Sequence, residues 1–155
     1  MNFQPSNPDF ETRVRESFSA QKFMATLGAE LTLVAPGEVT IELPYSEHLT
    51  QQDGFLHAGV GTSIADSACG YAAFTLMPNN ASVLSVEFKV NMISPSVGER
   101  FIARALVLKP GRTLTVCRAD VFAVKSGAEK LVLAMQATMV MRRGEEEKGR
   151  RGEKE

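Results

Sequence analysis

The stretch HAGVGTSIADSACGYAAFTLM, from His57 to Met77, carries a single formal charge, Asp66, among residues that are otherwise apolar, small or uncharged. Proline cannot continue a helix, so the spacing predicts one that begins near Gly59 and ends before Pro78. At about 3.6 residues per turn, Val60, Ile64, Ser67, Tyr71, Phe74 and Thr75 make one stripe, mostly large and apolar. Ala65, Ala68, Cys69, Ala72 and Ala73 cover much of the rest with short side chains. No face is hydrophilic, which is the pattern of a central helix wrapped by other structure. A lone buried carboxylate is costly unless it is hydrogen-bonded or paired. Asp66 is therefore either satisfied by neighbours such as Thr62 or Ser63 or kept for chemistry, and the residues alone leave those two even.

The 155-residue chain suits one domain, 1–143, with a hydrophobic fraction of 44% that can fill a core. The tail GEEEKGRRGEKE, residues 144–155, is poor in apolar residues and is expected to be disordered. A net charge of −1 gives no support for nucleic-acid binding or attraction to a membrane surface. There is no signal-peptide pattern at the start and no run long enough to span a bilayer. Cys69 and Cys117 lack metal-ligand spacing and read as reduced thiols, so the expectation is a cytoplasmic protein without a metal or a disulfide framework.

In chain order, Asn7-Pro8 supplies a helix start, and Phe10, Val14 and Phe18 recur on one face, with Glu11 four residues before Arg15. This predicts a covering helix from about Pro8 to Met24. Residues 29–34 and 38–43 read as a hairpin closed by Ala35-Pro36-Gly37-Glu38, a type II turn sequence. After the central helix the pattern changes to period two. Leu84, Val86, Phe88, Val90 and Met92 are expected on one face, opposite Ser85, Glu87, Lys89 and Asn91. Strands over 101–109, 114–125 and 131–142 follow, joined by short turns that favour antiparallel pairing. The fold class is α+β: a bent antiparallel sheet of about five or six strands with one long helix in its concavity.

That element order, together with His57, Gly59 and Asp66 in H-A-G-V-x-x-x-x-A-D-x-A and the run V-E-F-K-V-N-M-I-S-P from Val86 to Pro95, resembles the hotdog fold. More narrowly it resembles acyl-CoA thioesterases of the phenylacetate-degradation type. The resemblance covers roughly residues 27–141 and departs from the family at Ala58, where glycine is usual. It implies hydrolysis of an acyl-CoA with no cofactor, CoA being part of the substrate. It also implies a site shared across a homodimer that often pairs into a tetramer.

Thioester hydrolysis needs a polarised carbonyl and an activated water or a carboxylate nucleophile. Unpaired N–H groups at a helix start, here those of Ala58 and Gly59, are ready donors to an oxyanion. Asp66 lies about 10 Å further along the helix axis, beyond the reach of its own helix start. An antiparallel second subunit would bring its Asp66 opposite Ala58. Gln51 matches a family amide near the thioester oxygen, and Ser85 a family serine that orients the water or Asp66. His57 either shapes the turn, the favoured reading, or bears on the thioester. Lys109, Gly111 and Arg112 form a turn whose cations could meet CoA phosphates. Val60 and Tyr71 are assigned to substrate binding, and Phe74 and Met77 could join an acyl pocket. A hotdog-type hydratase or dehydratase and a non-catalytic acyl-CoA binder are the alternatives.

Overall fold

Asn7 makes a turn before the first helix, its Oδ1 accepting the Asp9 N–H at 2.9 Å; the N-cap is Asp9, with no side-chain cap bond, so α1 starts two residues later than expected and runs over Phe10–Ala20. Val14 is buried, Phe10 and Phe18 are half-buried beside it, and Arg15 pairs with Glu11 at 2.8 Å. The expected single helix to Met24 is broken at Gln21, whose ψ of 96° is extended, and α2 restarts over Lys22–Leu27. The break has a packing reason. Leu27 would fall nearly opposite Val14 on a straight helix, whereas here Met24 and Leu27 both reach the core.

The computed structural model describes residues 2–143, so the expected disorder of 144–155 lies outside the described residues. Strands β1 (Glu30–Ala35) and β2 (Glu38–Pro44) form the hairpin. Gly37 has φ 76°, the conformation a type II turn demands at that position, and the Phe3 ring occupies the space a side chain there would need. After α3 (Ala58–Phe74) come β3 (Ala81–Met92), β4 (Arg100–Lys109), β5 (Leu114–Lys125) and β6 (Ala128–Arg143). All pair antiparallel in the order β1-β2-β4-β5-β6-β3. The six-stranded sheet with α3 packed against β2 through β6 is the hotdog arrangement.

Small residues face each other across the contact between helix and sheet. Ala65, Ala68, Cys69, Ala72 and Ala73 of α3 are fully buried, and Ala103, Ala105, Ala119 and Ala137 meet them from the interior strands. Short side chains on both surfaces bring the helix close to the sheet, and one methylene too many would overpack it. Ile41, Ala103, Val121 and Leu133 form one register row across four strands, and all four are buried.

Three expectations need correction. The helix is not wrapped on all sides: Thr62, Ser63, Asp66, Ser67 and Gly70 run down an incompletely covered side, so Asp66 is not a buried charge. The predicted large stripe is also only partly buried, because Val60 and Ser67 stay half-exposed while the small face takes the sheet. In β3 the register shifts between Ser85 and Glu87. The extra residue, Val86, flips the alternation, so Val83 and Ser85 share the inner face with Phe88, Val90 and Met92. Leu84 points the other way.

Candidate active site

His57 builds the start of α3. Its Nδ1 accepts the Gly59 N–H at 2.9 Å, an N-cap made by an imidazole instead of the usual short oxygen side chain. A β-carbon on residue 59 would lie 3.0 Å from that nitrogen, so glycine leaves room for the ring. The Val60 N–H bonds the His57 carbonyl at 2.9 Å. Gly59 is therefore not an open donor, contrary to expectation. The Ala58 N–H has no partner among the described residues, and His57, Ala58 and Gly59 are exposed. One open backbone donor at the positive end of a 17-residue helix is the oxyanion feature the chain presents.

The loop before the helix is held at both ends. The His57 N–H bonds the Leu49 carbonyl at 2.9 Å, and the Leu56 N–H bonds Ser96 at 3.1 Å. Gln51 is half-buried. Its Oε1 accepts the Asp53 N–H and its main chain pairs with Phe55 at 2.8 Å. The Gln51 oxygen is thus committed to its own loop, which leaves the amide NH₂ as the group free to face a substrate.

Ser85 donates to Asp66 Oδ1 at 2.7 Å. Neither Thr62 nor Ser63 is the partner considered above: Ser63 donates back to the Gly59 carbonyl at 2.6 Å. The carboxylate is accessible, oriented by one hydroxyl, and keeps a second oxygen for a water or an acyl carbon. It opens into a cavity of about 310 Å³ between α1, α3 and β3, lined by Ser17, Gln21, Tyr71, Phe74, Val83 and Met139 among others. Tyr71 and Phe74 meet edge to face at 6.3 Å, and the Arg13 guanidinium lies 3.8 Å over the Phe74 ring. Arg13 is itself fixed by the carbonyls of Met77, Pro78 and Ala81, so the aromatic wall is braced from behind.

Other expected residues lie elsewhere. Met77 lines a second cavity, of about 530 Å³, at the far end of α3 with Gly111, Arg112 and Arg143. Lys109 does not line it, and none of the 109–112 turn reaches the Asp66 cavity. Val60 packs against the core instead of lining the Asp66 cavity. Ser17 and Gln21 were not anticipated. Their four-residue spacing on a covering helix was readable, but the side of α3 that the helix would cover was not. Burial pushes the Cys117 thiol up to about 12 and raises Cys69 further, with Cys117 and Asp66 adding to the effect, which removes thiolate chemistry from both. Among the described residues no three His, Cys, Asp or Glu side chains converge into a metal-ligand set.

Within one chain the helix start and Asp66 do not meet. None of His57, Ala58 and Gly59 lines the carboxylate's cavity, and the intervening helix is unbroken.

Comparison with known proteins gives the family of the chain. Residues 53–129 match the model of the Thioesterase superfamily. The human protein acyl-coenzyme A thioesterase 13 is 32% identical over 110 residues, 69% of this chain and 77% of that one. A solved structure of a thioesterase family protein from Silicibacter pomeroyi is 52% identical, with a TM-score of 0.86 over 87% of this chain and 99% of that one. The E. coli PaaI protein, from the phenylacetic acid degradation operon, shares the fold at a TM-score of 0.78 and 15% identity, covering 88% of this chain and 95% of that one. The chain belongs to the thioesterase superfamily and is a thioester hydrolase by family.

Proposed function

We propose that this protein hydrolyses acyl-CoA thioesters to the free acid and CoA. The observation that carries the reading is the Asp66–Ser85 pair at the wall of an aromatic-lined cavity, on a helix whose first N–H is open. The acyl group occupies the cavity beside Tyr71 and Phe74, and the carbonyl oxygen is held by the Ala58 N–H with the Gln51 amide close by. Asp66 either takes a proton from water or attacks the acyl carbon itself. In both routes the C–S bond breaks and the CoA thiolate leaves, which requires no strong general acid.

The site is shared between two subunits. The offset of about 10 Å between Gly59 and Asp66 on one helix calls for a partner's carboxylate. β3 offers the edge: among the described residues it pairs only with β6, and it leaves Leu84, Val86, Phe88 and Met92 about half exposed. An antiparallel pair across β3 places the partner subunit's Asp66 opposite Ala58, and two such dimers form the tetramer. The Arg112 turn, remote from Asp66 in its own chain, serves the CoA phosphates across that interface.

A thiol-release assay over short, medium, long and aryl acyl-CoAs tests the reading. Hydrolysis of at least one class by the wild type, lost in Asp66→Ala with CoA binding kept, is expected. Release of an enoyl thioester in place of free thiol would move the protein to the hydratase class. Binding without any turnover would make it an acyl-CoA binder. Incorporation of heavy oxygen from labelled water into Asp66 in a single turnover separates nucleophile from base.

A further inference from the structure

The cavity beside Asp66 has a polar far end that thioester hydrolysis does not use. Ser17 Oγ and Tyr71 Oη lie 3.3 Å apart, and Gln21 lines the same cavity with its Oε1 enclosed and without a hydrogen-bond partner among the described residues. The break between α1 and α2 puts Gln21 there: its backbone is extended, with its N–H on the Phe18 carbonyl at 3.0 Å. An enclosed acceptor without a donor is destabilising, and such groups in a folded chain call for an explanation. The side chain's terminal torsion is soft, so a small turn presents the oxygen to whatever fills the cavity.

We propose that Gln21, with Ser17 and Tyr71, selects a short acyl group that carries a hydroxyl at its far end. The hydroxyl donates to Gln21 Oε1 and accepts from the Ser17–Tyr71 pair, satisfying the orphaned atom. Length follows from the helix. Tyr71 lies five residues beyond Asp66, about 7.5 Å along the axis, the span of an extended chain of about six carbons. The aromatic wall of Tyr71 and Phe74, braced by Arg13, receives the methylene stem. A methyl-terminated chain of the same length would fill the space and leave three polar groups facing hydrocarbon.

This rests on the acyl-CoA reading above, so the test separates the two. ω-Hydroxyhexanoyl-CoA and heptanoyl-CoA differ in hydroxyl against methyl at equal length. The wild type is expected to favour the hydroxyl compound about fivefold in kcat/KM, the size of one net hydrogen bond. Gln21→Leu should remove or invert that ratio, and Tyr71→Phe, which deletes one oxygen, should move it the same way should the first variant not fold. Calorimetry with the non-hydrolysable thioether analogues of the pair reads the selectivity without turnover. A preference seen in binding, absent in the variants, with no hydrolysis of either thioester, upholds the pocket assignment and overturns the thioesterase reading. Equal affinities and equal kcat/KM in the wild type, or a preference that persists in both variants, overturn the pocket assignment whatever the turnover.

Discussion

Strands β3 and β5 are the same length, 12 residues, and meet opposite fates. β5 lies between β4 and β6 and buries Thr115, Cys117, Ala119, Val121 and Ala123 under α3. β3 has the larger apolar side chains, yet it sits at the end of the sheet and buries none of its residues fully. Hydrophobicity therefore does not decide burial here; position in the sheet does. The strand whose apolar pattern exceeds its burial is also the one that holds Ser85 on Asp66. An exposed apolar edge of this kind is a template for pairing with another chain. The difference between the strands ties assembly to the site.

The sharpest way to break the link is at the carboxylate. Asp66→Asn should lower kcat by about a thousandfold, since an amide neither takes a proton nor forms a useful acyl intermediate. Ser85→Ala removes only the orienting hydroxyl, and a loss of about tenfold is expected. Steady-state rates on any accepted thioester decide. Equal losses would mean that β3 supplies more than orientation, and a fully active Asp66→Asn enzyme would remove Asp66 from the chemistry.

Next in size is the edge itself. A lysine on an edge strand blocks strand addition, so Val86→Lys with Phe88→Lys should yield a monomer by light scattering. Activity should fall roughly a hundredfold, as expected when the oxyanion donor loses its carboxylate. A monomeric variant that keeps full activity would put the whole site in one chain. The corresponding interior comparison is Leu43→Ala, on a fully buried inner position of β2. It should cost about 2–5 kcal/mol in urea unfolding. Leu84→Ala in the monomeric background should stay within about 0.5 kcal/mol.

The same two strands explain what the sequence disclosed. The central helix, the hairpin and the run of strands along the chain were legible because they rest on local signals: proline and glycine turns, and apolar periods of 3.6 and two. The sheet order was not: β3 does not pair with β4, its successor in the chain, but lies beside β6, while β4 lies beside β2. The bulge at Val86 was not, because it depends on what β6 presents opposite Ser85 and Glu87. Asp66 stood out as the one charge in its stretch, but its partner lies 19 positions away on another element. That hydroxyl was named through the family likeness and not from spacing. The imidazole cap that closes off the Gly59 amide was illegible for a similar reason: histidine is not a usual N-cap, and only the folded turn brings Nδ1 to the N–H.

Complementation sharpens the shared-site reading with a smaller expected signal. Ala58→Pro removes the open N–H at a position where the ring is otherwise tolerated. Asp66→Ala removes the carboxylate. In a mixed dimer one composite site holds both defects and the other holds neither, so about half of the wild-type activity should return while each parent stays near background. Two affinity tags isolate the mixed species. No recovery in a well-folded heterodimer would place Ala58 and Asp66 in one subunit's site and remove the antiparallel pairing.

The interior side of the comparison gives the smallest effect, and it appears only in alkali. Burial against α3 raises the Cys117 thiol from its ordinary value of 9.0 to about 12, and Cys69 shifts in the same direction. The folded state thus prefers both thiols neutral. The stability this contributes is fully present below the ordinary thiol pKa. It is lost as pH rises from about 9 toward the raised folded values, because the unfolded chain releases those protons first. Urea unfolding at pH about 8 and about 10.5 should show a steeper loss of stability for the wild type than for a variant carrying Cys69→Ala and Cys117→Ala. Tyrosines and lysines titrate in both proteins, so the difference between the two slopes isolates the thiols. A small cavity left by the substitutions lowers both of the variant's values equally and does not change its slope. Equal slopes would mean that the thiols ionise freely in the folded protein and that the packing of α3 on β5 is looser than the buried alanines and cysteines indicate.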